Sequence, residues 1–279
     1  MVTVLQKSEA IYKPDGLLDP AGFERNITFH TYEPPPRLKP FTDHFWTISW
    51  NRASQIPYIS EQVMHRPYVD VYMSRQDSGI QCSFRNKRDY IAAATGRIIG
   101  ARFLPGAFHA FWGGSLAGLH NETIPLQRVF AQADRQFFED TLSLQDDAAV
   151  GALADLIQAL NPQPDPNIKL INDIIASIES DDMKTVGFIA QRFGKSERWL
   201  QQLFQQYVGI GLKWQLQRFK LIEAAKSIRE SNAPNWADLA YDLGYSSQQH
   251  FISDFKRVLG RTPVQYKKAL GPQGTDMKQ

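Results

Sequence analysis

The last third of the chain carries one pattern of hydrophobic and polar positions twice. Hydrophobic residues recur there at positions i, i+3, i+4 and i+7, which is the spacing of one buried face of an α-helix. In the first copy that face consists of Leu200, Leu203, Phe204 and Tyr207, and in the second of Phe251, Phe255 and Val258. Each helix follows a shorter apolar segment that ends at a glycine, and this arrangement predicts two helix-turn-helix units.

The two turns are predicted from a glycine and a serine at matching positions. Gly194 and Gly244 are 50 residues apart, and Ser196 and Ser247 are 51 residues apart. Glycine adopts the left-handed backbone conformation of a helix C-terminus without strain at a Cβ atom. A serine side chain accepts a hydrogen bond from the free N–H groups of the helix that it precedes. We therefore expect Ser196 and Ser247 to cap the second helix of each unit.

The outward faces of these two helices carry long polar side chains. Glutamine can form two hydrogen bonds with adenine, and arginine can do the same with guanine, so such faces suit the floor of a DNA groove. A polar surface is ordinary for any single exposed helix, but two matching faces behind two capped turns favour DNA reading. The candidate DNA-binding residues are Ser196, Arg198, Gln201, Gln202 and Gln205 in the first unit and Ser247, Gln248, Gln249, Ser253 and Lys256 in the second.

One amphipathic helix is predicted between the two units, over residues 212–229. Its expected buried side consists of Leu216, Phe219, Ile222, Ala225 and Ile228. This length spans about 27 Å at roughly 1.5 Å per residue, which approaches the roughly 34 Å between successive major-groove faces on one side of B-DNA. A connector of that length would present both units to one side of a duplex.

The pattern changes to alternation in the first half of the chain, which is typical of β-strands. The hydrophobic positions concerned are Trp46, Ile48 and Trp50, then Val69, Val71 and Met73, then Ile80, Cys82 and Phe84, and then Ile98, Ile99 and Phe103. Turns rich in proline and glycine separate these segments, and helical patterns follow from about Ala131. The sequence therefore predicts an α+β protein of two domains: a β-rich, barrel-like N-terminal domain with helices, and an all-α C-terminal domain with two helix-turn-helix units.

Three prolines mark the expected boundary between the domains. Pro162, Pro164 and Pro166 cannot continue the preceding helix and favour an extended, semi-rigid spacer. We therefore divide the chain into residues 1–164, a sensor or dimerisation domain, and residues 165–279, a DNA-binding domain.

Several short sequences in the C-terminal part match a known family. In the first unit they are Gly194-Lys195-Ser196 and Trp199-Leu200-Gln201-Gln202-Leu203-Phe204, and in the second Leu243-Gly244-Tyr245-Ser246, His250-Phe251 and Gly260-Arg261-Thr262-Pro263. Through them, residues 168–269 resemble the DNA-binding domain of the AraC-type (AraC/XylS) transcription regulators. His250 stands where tyrosine is commoner in that family, Lys267 where arginine is commoner, and Phe219 where many members carry arginine. The resemblance implies a bacterial transcription regulator that binds double-stranded promoter DNA.

A second resemblance concerns the N-terminal part, over roughly residues 32–160. The sequence Arg102-Phe103-Leu104-Pro105-Gly106-Ala107 and the proline-rich stretch before Trp46 are similar to the sensor domain of one AraC-type branch, whose ligands are mostly undefined. Apolar pockets combine rigid aromatic surface with a few polar anchors, although each aromatic residue could instead simply fill the core. The candidate ligand-binding residues are Trp46, Trp50, Arg102, Phe103, Phe108, His109 and Trp112.

Charge differs between the two parts of the chain. Residues 1–167 hold 15 lysine and arginine residues against 18 acidic ones, whereas residues 168–279 hold 16 against 11. The basic surplus lies in the part expected to meet phosphates. A single cysteine, Cys82, excludes an intrachain disulfide and suits a reducing compartment. Because no segment approaches the roughly 20 apolar residues of a membrane span, we expect a cytoplasmic protein.

Catalytic motifs are absent from the sequence. It has no G-x-S-x-G, H-E-x-x-H or phosphate-binding glycine loop. Gly100 to His109 faintly resembles the second metal motif of cupin enzymes, but the spacing departs and no His-x-His precedes it. We therefore expect no enzyme activity, no cofactor and no metal.

The predicted function is that of a sequence-specific DNA-binding transcription regulator that responds to an effector. Its expected partners are promoter DNA, a small-molecule effector, RNA polymerase and a second copy of the chain in a homodimer. The alternative is a DNA-binding protein whose N-terminal domain has a catalytic or purely dimerising role.

Overall fold

The computed structural model describes residues 3, 5–8, 17–18, 20–51, 57–62, 66–180, 185–231 and 235–270. Parts of both predicted domains, including the start of the chain and residues 271–279, therefore lie outside the described residues. Within the described ranges, a sheet-rich N-terminal part precedes a helical C-terminal part, which confirms the predicted fold class.

Antiparallel strands build the N-terminal part. In the described ranges they are β1 (Thr28–Tyr32), β2 (Thr42–Asn51), β3 (Tyr58–Gln62), β4 (Val69–Ser74), β5 (Ser78–Gln81), β6 (Arg88–Ala92), β7 (Thr95–Phe103) and β8 (Thr123–Ile124). Six of them form one sheet in the order β1-β2-β7-β4-β5-β8, and β3 pairs separately with β6. Because β1 and β8 stay at opposite edges, the described sheet is open and does not close into a barrel.

The N-terminal helices are α1 (Pro20–Asn26), α2 (His109–Trp112), α3 (Arg135–Ser143) and α4 (Asp146–Gln158). The first two precede Ala131, where helices were expected to begin. They contain only 7 and 4 residues, which is too short for a clear helical period in the sequence. Cys82 also departs slightly from its prediction, because it is buried and free but follows the end of β5.

The main sheet has one packed face and one face that lines a cavity, because successive side chains of a strand point to opposite sides. Phe45, Val71 and Phe103 belong to the hydrophobic core, which α4 completes with Val150, Leu153 and Ile157. The cavity is lined by the residues next to these in the strands: Trp46 beside Phe45, Asp70 beside Val71 and Arg102 beside Phe103. The alternation seen in the sequence thus becomes a division between core and cavity.

The C-terminal part consists of helices. They are α5 (Pro166–Ser180), α6 (Val186–Arg192), α7 (Glu197–Val208), α8 (Leu212–Glu230), α9 (Trp236–Asp242), α10 (Gln248–Leu259) and α11 (Pro263–Ala269). Helices α6 and α7 form the first predicted helix-turn-helix unit, α9 and α10 form the second, and α8 connects them as expected.

Helix α8 contributes to the cores of both units. Its first half places Leu212 and Leu216 in a core with residues of α5, α6 and α7. Its second half places Leu221 and Ile228 in a second core with residues of α9, α10 and α11. Burial of each such side chain stabilises the fold by about 1.5–3 kcal/mol, so one continuous helix holds both units.

The buried side of α8 is broader than the sequence predicted. Phe219 and Ile222 are only half-buried, whereas Gln215 and Arg218 are buried. The reason is that α8 packs against helices of both units and also against a loop of the N-terminal part, so that few of its positions remain free.

Candidate nucleic-acid interface and ligand cavity

The turn of the first unit is built as the sequence predicted. Gly194 has a positive φ of 62°, and the following Lys195 N–H donates back to the Ala190 carbonyl at 3.0 Å. This bond closes the end of α6 in the manner of a Schellman motif. Ser196 then caps α7, since its Oγ accepts a hydrogen bond from the Trp199 N–H at 3.2 Å. The turn therefore fixes the residue at which α7 begins.

The second unit repeats this geometry. Gly244 has a φ of 74°, and the Tyr245 N–H donates to the Ala240 carbonyl at 2.9 Å. Ser247 caps α10 by accepting from the His250 N–H at 3.2 Å. Both predicted caps are confirmed, so the sequence repeat is a structural repeat.

The candidate DNA-binding residues lie on exposed faces of α7 and α10. All of them are exposed except Gln201, which is half-buried. A Cβ atom at Gly211 would lie 2.8 Å from Gln201 Oε1 and 3.2 Å from Gln205 Nε2, so these two amides cover the turn after α7. In the exposed face of α7, Arg198 and Gln202 are therefore the side chains away from this turn. In α10, Gln248 and Gln249 are the first residues of the exposed face.

Asp254 was not singled out from the sequence, and it orients α10. Its buried carboxylate accepts hydrogen bonds from Gln217 Nε2 of α8 and, at 2.7 Å, from Arg257 Nη2. His250 Nε2 lies 3.5 Å from the same carboxylate. The Gln217 bond ties the second unit to the connecting helix, whereas the Arg257 and His250 contacts lie within α10.

The β5–β6 connector, residues 82–87, joins the N-terminal part to both units. Ser83 Oγ donates to the Val208 carbonyl at the end of α7, at 3.1 Å. The Phe84 carbonyl accepts from Arg218 Nη1 of α8, also at 3.1 Å. The Lys87 N–H donates to the Val258 carbonyl near the end of α10, at 2.9 Å. One short segment thus contacts both α7 and α10 at their C-terminal ends, away from the exposed faces.

An ion-pair cluster strengthens the contact with the second unit. Glu61 of β3 accepts hydrogen bonds from Arg261 Nη2 at 2.5 and 2.6 Å, and Lys87 Nζ lies 2.6 Å from the same carboxylate. Lys87 Nζ also bonds Asp89 of β6 at 2.6 Å. Strand β3 therefore contacts Arg261, two residues after the end of α10, and Lys87 links β6 to the same carboxylate.

Arg218 of α8 is a buried cation at this contact. It is only 1% exposed, and its Nε and Nη2 have no hydrogen-bond partner among the described residues. Its guanidinium lies 5.0 Å from the centre of the Trp214 ring. Burial lowers the pKa of Arg218 to about 9. A buried charge without full pairing is costly.

A cavity of about 530 Å³ lies between the free face of the sheet and strands β3 and β6. Its wall includes Trp46, Trp50, Tyr72, Tyr90, Arg88 and Arg102. The volume falls in the range of small-molecule sites, roughly 300–1,000 Å³. Three of the candidate ligand-binding residues, Trp46, Trp50 and Arg102, are brought together here.

The other four candidate ligand-binding residues do not line this cavity. Phe103 and Phe108 are fully buried in the core, because Phe103 points to the opposite face of β7 from Arg102. Trp112 packs against the same core. His109 stacks on Tyr207 of α7, with ring centres 3.9 Å apart. The structure therefore does not bring these four residues to the cavity wall.

His109 makes the contact between the N-terminal part and α7 sensitive to pH. Burial lowers the pKa of His109 below its ordinary value of 6.5, although the charge of Asp165 opposes the shift. The folded protein thus disfavours the protonated imidazole, so this contribution to stability is present above about pH 6.5 and is lost as the pH falls. We expect the thermal unfolding midpoint to drop between pH 7 and pH 5, and to drop less in His109→Phe. An equal drop in both proteins would contradict this assignment.

The described residues contain no group of three or more His, Cys, Asp or Glu side chains arranged to hold a metal ion. None of the helices in those ranges is both long enough and apolar enough to cross a bilayer.

Comparison with known proteins agrees with the helix-turn-helix assignment. A family model described as a helix-turn-helix domain matches residues 189–269. Another, described as a domain of unknown function (DUF6597), matches residues 30–125.

Two similar curated proteins each match somewhat more than a third of the chain. Regulatory protein SoxS of Escherichia coli (strain K12) is 35% identical over 104 residues, covering 37% of this chain and 96% of SoxS. The HTH-type transcriptional activator AarP of Providencia stuartii is 32% identical over 100 residues, covering 35% of this chain and 73% of AarP.

Among solved structures, ToxT from Vibrio cholerae O395 covers 89% of this chain and 100% of its own, with a TM-score of 0.34 and 10% identity. The C-terminal domain of AraT, a response regulator from Geobacillus stearothermophilus, covers 41% of this chain and 96% of its own, with a TM-score of 0.34 and 19% identity.

Proposed function

Since the chain belongs to the AraC family of transcription regulators, we propose that α7 and α10 read promoter DNA and that a small molecule in the N-terminal cavity controls this reading. DNA-binding transcription regulation follows from family membership. A promoter-reading role implies the cytoplasm as the site of action. RNA polymerase and a second copy of the chain stay predicted partners.

The proposed readers are the N-terminal halves of α7 and α10. In helix-turn-helix proteins these halves contact base edges, and here they expose Arg198, Gln202, Gln248 and Gln249. Ser196 and Ser247 keep a hydroxyl hydrogen that can be donated to phosphate while the oxygen caps the helix. Gln201, beside Gln202, and the later residues Gln205, Ser253 and Lys256 complete the proposed interface.

We propose a domain boundary near residue 164. Helix α4 ends at Gln158 and α5 begins at Pro166, with the three prolines in this region. In support, Ile171 and Ile175 of α5 pack in the core of the first unit. The proposed domains are accordingly residues 1–164 and 165–279.

Control by an effector is supported chiefly by the β5–β6 connector. Arg88 and Tyr90, at the start of β6, line the cavity, and the connector that contacts α7, α8 and α10 ends directly before them. A ligand that displaces β6 would therefore move the residues that hold both units.

We expect Glu61→Gln to weaken specific DNA binding by about 3- to 10-fold. The substitution removes the charge that holds Arg261 and Lys87, so the second unit loses a restraint on its orientation. DNA binding must then restrict this orientation, and the lost conformational entropy lowers the affinity. The measurement is fluorescence anisotropy of the full chain on a selected operator at fixed salt.

Glu139→Gln is the matched control. Glu139 forms an exposed pair with Arg135 within α3, and such pairs contribute little. Wild-type DNA affinity in Glu61→Gln would show that this contact does not restrain the second unit during DNA reading.

A further inference from the structure

Two tryptophans of the cavity lie opposite two glycines of the neighbouring strand. Trp46 of β2 pairs with Gly100 of β7, and Trp50 pairs with Gly96. A Cβ atom added to either glycine would overlap the opposite indole at three consecutive ring atoms, Cε2, Cζ2 and Cη2. Only glycine therefore leaves space for these rings on the sheet.

The same geometry shows how the rings are turned. Each added Cβ would be nearest Cζ2 and almost as near to both ring neighbours of that atom. An atom beyond the edge of the ring would be clearly farther from those neighbours, so each glycine lies under the face of its indole. The two indoles are thus flat on the sheet, and four residues of strand separate them by about 13 Å. They form an aromatic floor, defined here as Trp46 and Trp50.

The charged groups in the cavity wall named below already have polar partners, either an opposite charge or a neutral hydrogen-bonding group. Asp70 bonds Arg102 twice at 2.8 Å, and Asp77 accepts from the Tyr72 hydroxyl at 2.6 Å. Arg88 donates to the Asn121 carbonyl at 2.6 Å and lies over the Phe84 ring. Asp89 bonds Lys87, and His44 pairs with Asp43. A charged ligand would have to share or displace the polar contacts that these groups already make.

One polar atom of the aromatic floor is unused. Trp46 is 8% exposed, and its Nε1–H has no hydrogen-bond acceptor among the described residues. Buried donors without a partner are uncommon and costly. The Trp50 Nε1–H, in contrast, donates to the Ala93 carbonyl at 3.1 Å.

We propose that the cavity binds a flat, uncharged aromatic compound of two or three rings, which stacks on the aromatic floor and accepts a hydrogen bond from Trp46 Nε1. Flat rings match the flat indoles, the absence of charge matches a wall whose charged groups already have polar partners, and an acceptor satisfies the unused donor. The ligand class deepens the proposed effector role and rests on it.

The test uses flavone, 9-fluorenone and acridone, which are flat neutral carbonyl compounds, and dodecanoate, a flexible anion. Binding to the full chain is measured by calorimetry and by quenching of tryptophan fluorescence. We expect at least one of the three aromatic compounds to bind 10-fold or more tightly than dodecanoate. Binding of dodecanoate as tight as that of every aromatic compound, or no aromatic binding at millimolar concentration, overturns the proposal.

Variants locate the binding on the aromatic floor. Trp50→Leu and Gly96→Ala should each lower the affinity for the aromatic probe at least 10-fold, the first by removing a ring and the second by displacing it. Gly114→Ala is the matched control, since a Cβ there meets only Trp112 atoms at 3.8 Å. Trp46→Phe should lower the affinity roughly 3- to 10-fold, because it removes the N–H donor.

Wild-type affinity in Trp50→Leu overturns the proposal. Trp50 is only half-buried, so this variant decides the matter even where Gly96→Ala fails to fold. DNA affinity measured with the bound probe separates the two ideas. Aromatic binding without any change in DNA affinity supports the ligand class and contradicts effector control. Tight binding of dodecanoate that changes DNA affinity supports effector control and contradicts the ligand class.

Discussion

Arg198→Ala, Gln202→Ala and Gln249→Ala are each expected to weaken specific DNA binding by about 1–3 kcal/mol, which is the value of one good base contact. Each should also relax the preference at one base pair. The three side chains are exposed, so their removal should change the free energy of unfolding by no more than about 0.5 kcal/mol. Titration of a selected operator at fixed salt measures the affinity, and selection from a randomised operator measures the preference.

The matched control for the arginine is Arg135→Ala. Arg135 is an exposed arginine at the start of α3, far along the chain from both readers, and its removal should leave DNA affinity unchanged. If all three reader variants fold and bind the operator like the wild type, α7 and α10 do not read bases.

Phe255→Ala is expected to lower the free energy of unfolding by about 3–5 kcal/mol, as is typical when a buried phenylalanine is truncated. Phe255 is fully buried in α10 and makes edge-to-face contacts with Phe251 and Tyr266, at ring-centre distances of 5.6 and 5.7 Å. The second core is distinct from the first, so the loss should fall on the second unit. Urea denaturation followed by circular dichroism measures it.

Phe255→Leu serves as the control, because leucine keeps most of the buried apolar volume and should cost clearly less. Footprinting of Phe255→Ala should show that protection by the second unit is lost before protection by the first. A loss below about 1 kcal/mol would mean that α10 is held mainly by polar contacts such as those of Asp254.

The helix-turn-helix units were predictable because local interactions determine them. The hydrophobic period of α7 and α10 involves positions at most four residues apart. The caps at Ser196 and Ser247 use the N–H groups three residues ahead. The turns at Gly194 and Gly244 need a positive φ that glycine adopts freely. Each of these requirements can be checked within a short stretch of sequence.

The ligand candidates show a limit that the sequence itself could have revealed. Arg102 and Phe103 are neighbours on one strand, and neighbours on a strand point to opposite faces. Only one of them could therefore line the cavity. Whether Arg102 or Phe103 faces the cavity depends on which side of the sheet α4 covers, and this is decided only in the folded protein.

Strand pairing likewise decided the aromatic floor. The alternation of Trp46 and Trp50 predicted β2, but the glycines beneath the two rings come from β7, about 50 residues later in the chain. The register of β2 on β7 brings each tryptophan onto a glycine. No local pattern around Gly96 or Gly100 indicates this function.

The sequence by itself determined the two helix-turn-helix units, the connecting helix and strands β2, β4 and β7, since helix period, capping and strand alternation depend on near neighbours along the chain. Only the tertiary structure decided how the N-terminal part holds the readers. Ser83 bonds Val208 across 125 positions, and Glu61 bonds Arg261 across 200. Such contacts arise when whole helices and strands pack together. The polar residues that make them cannot be told from solvent-exposed polar residues by their local sequence.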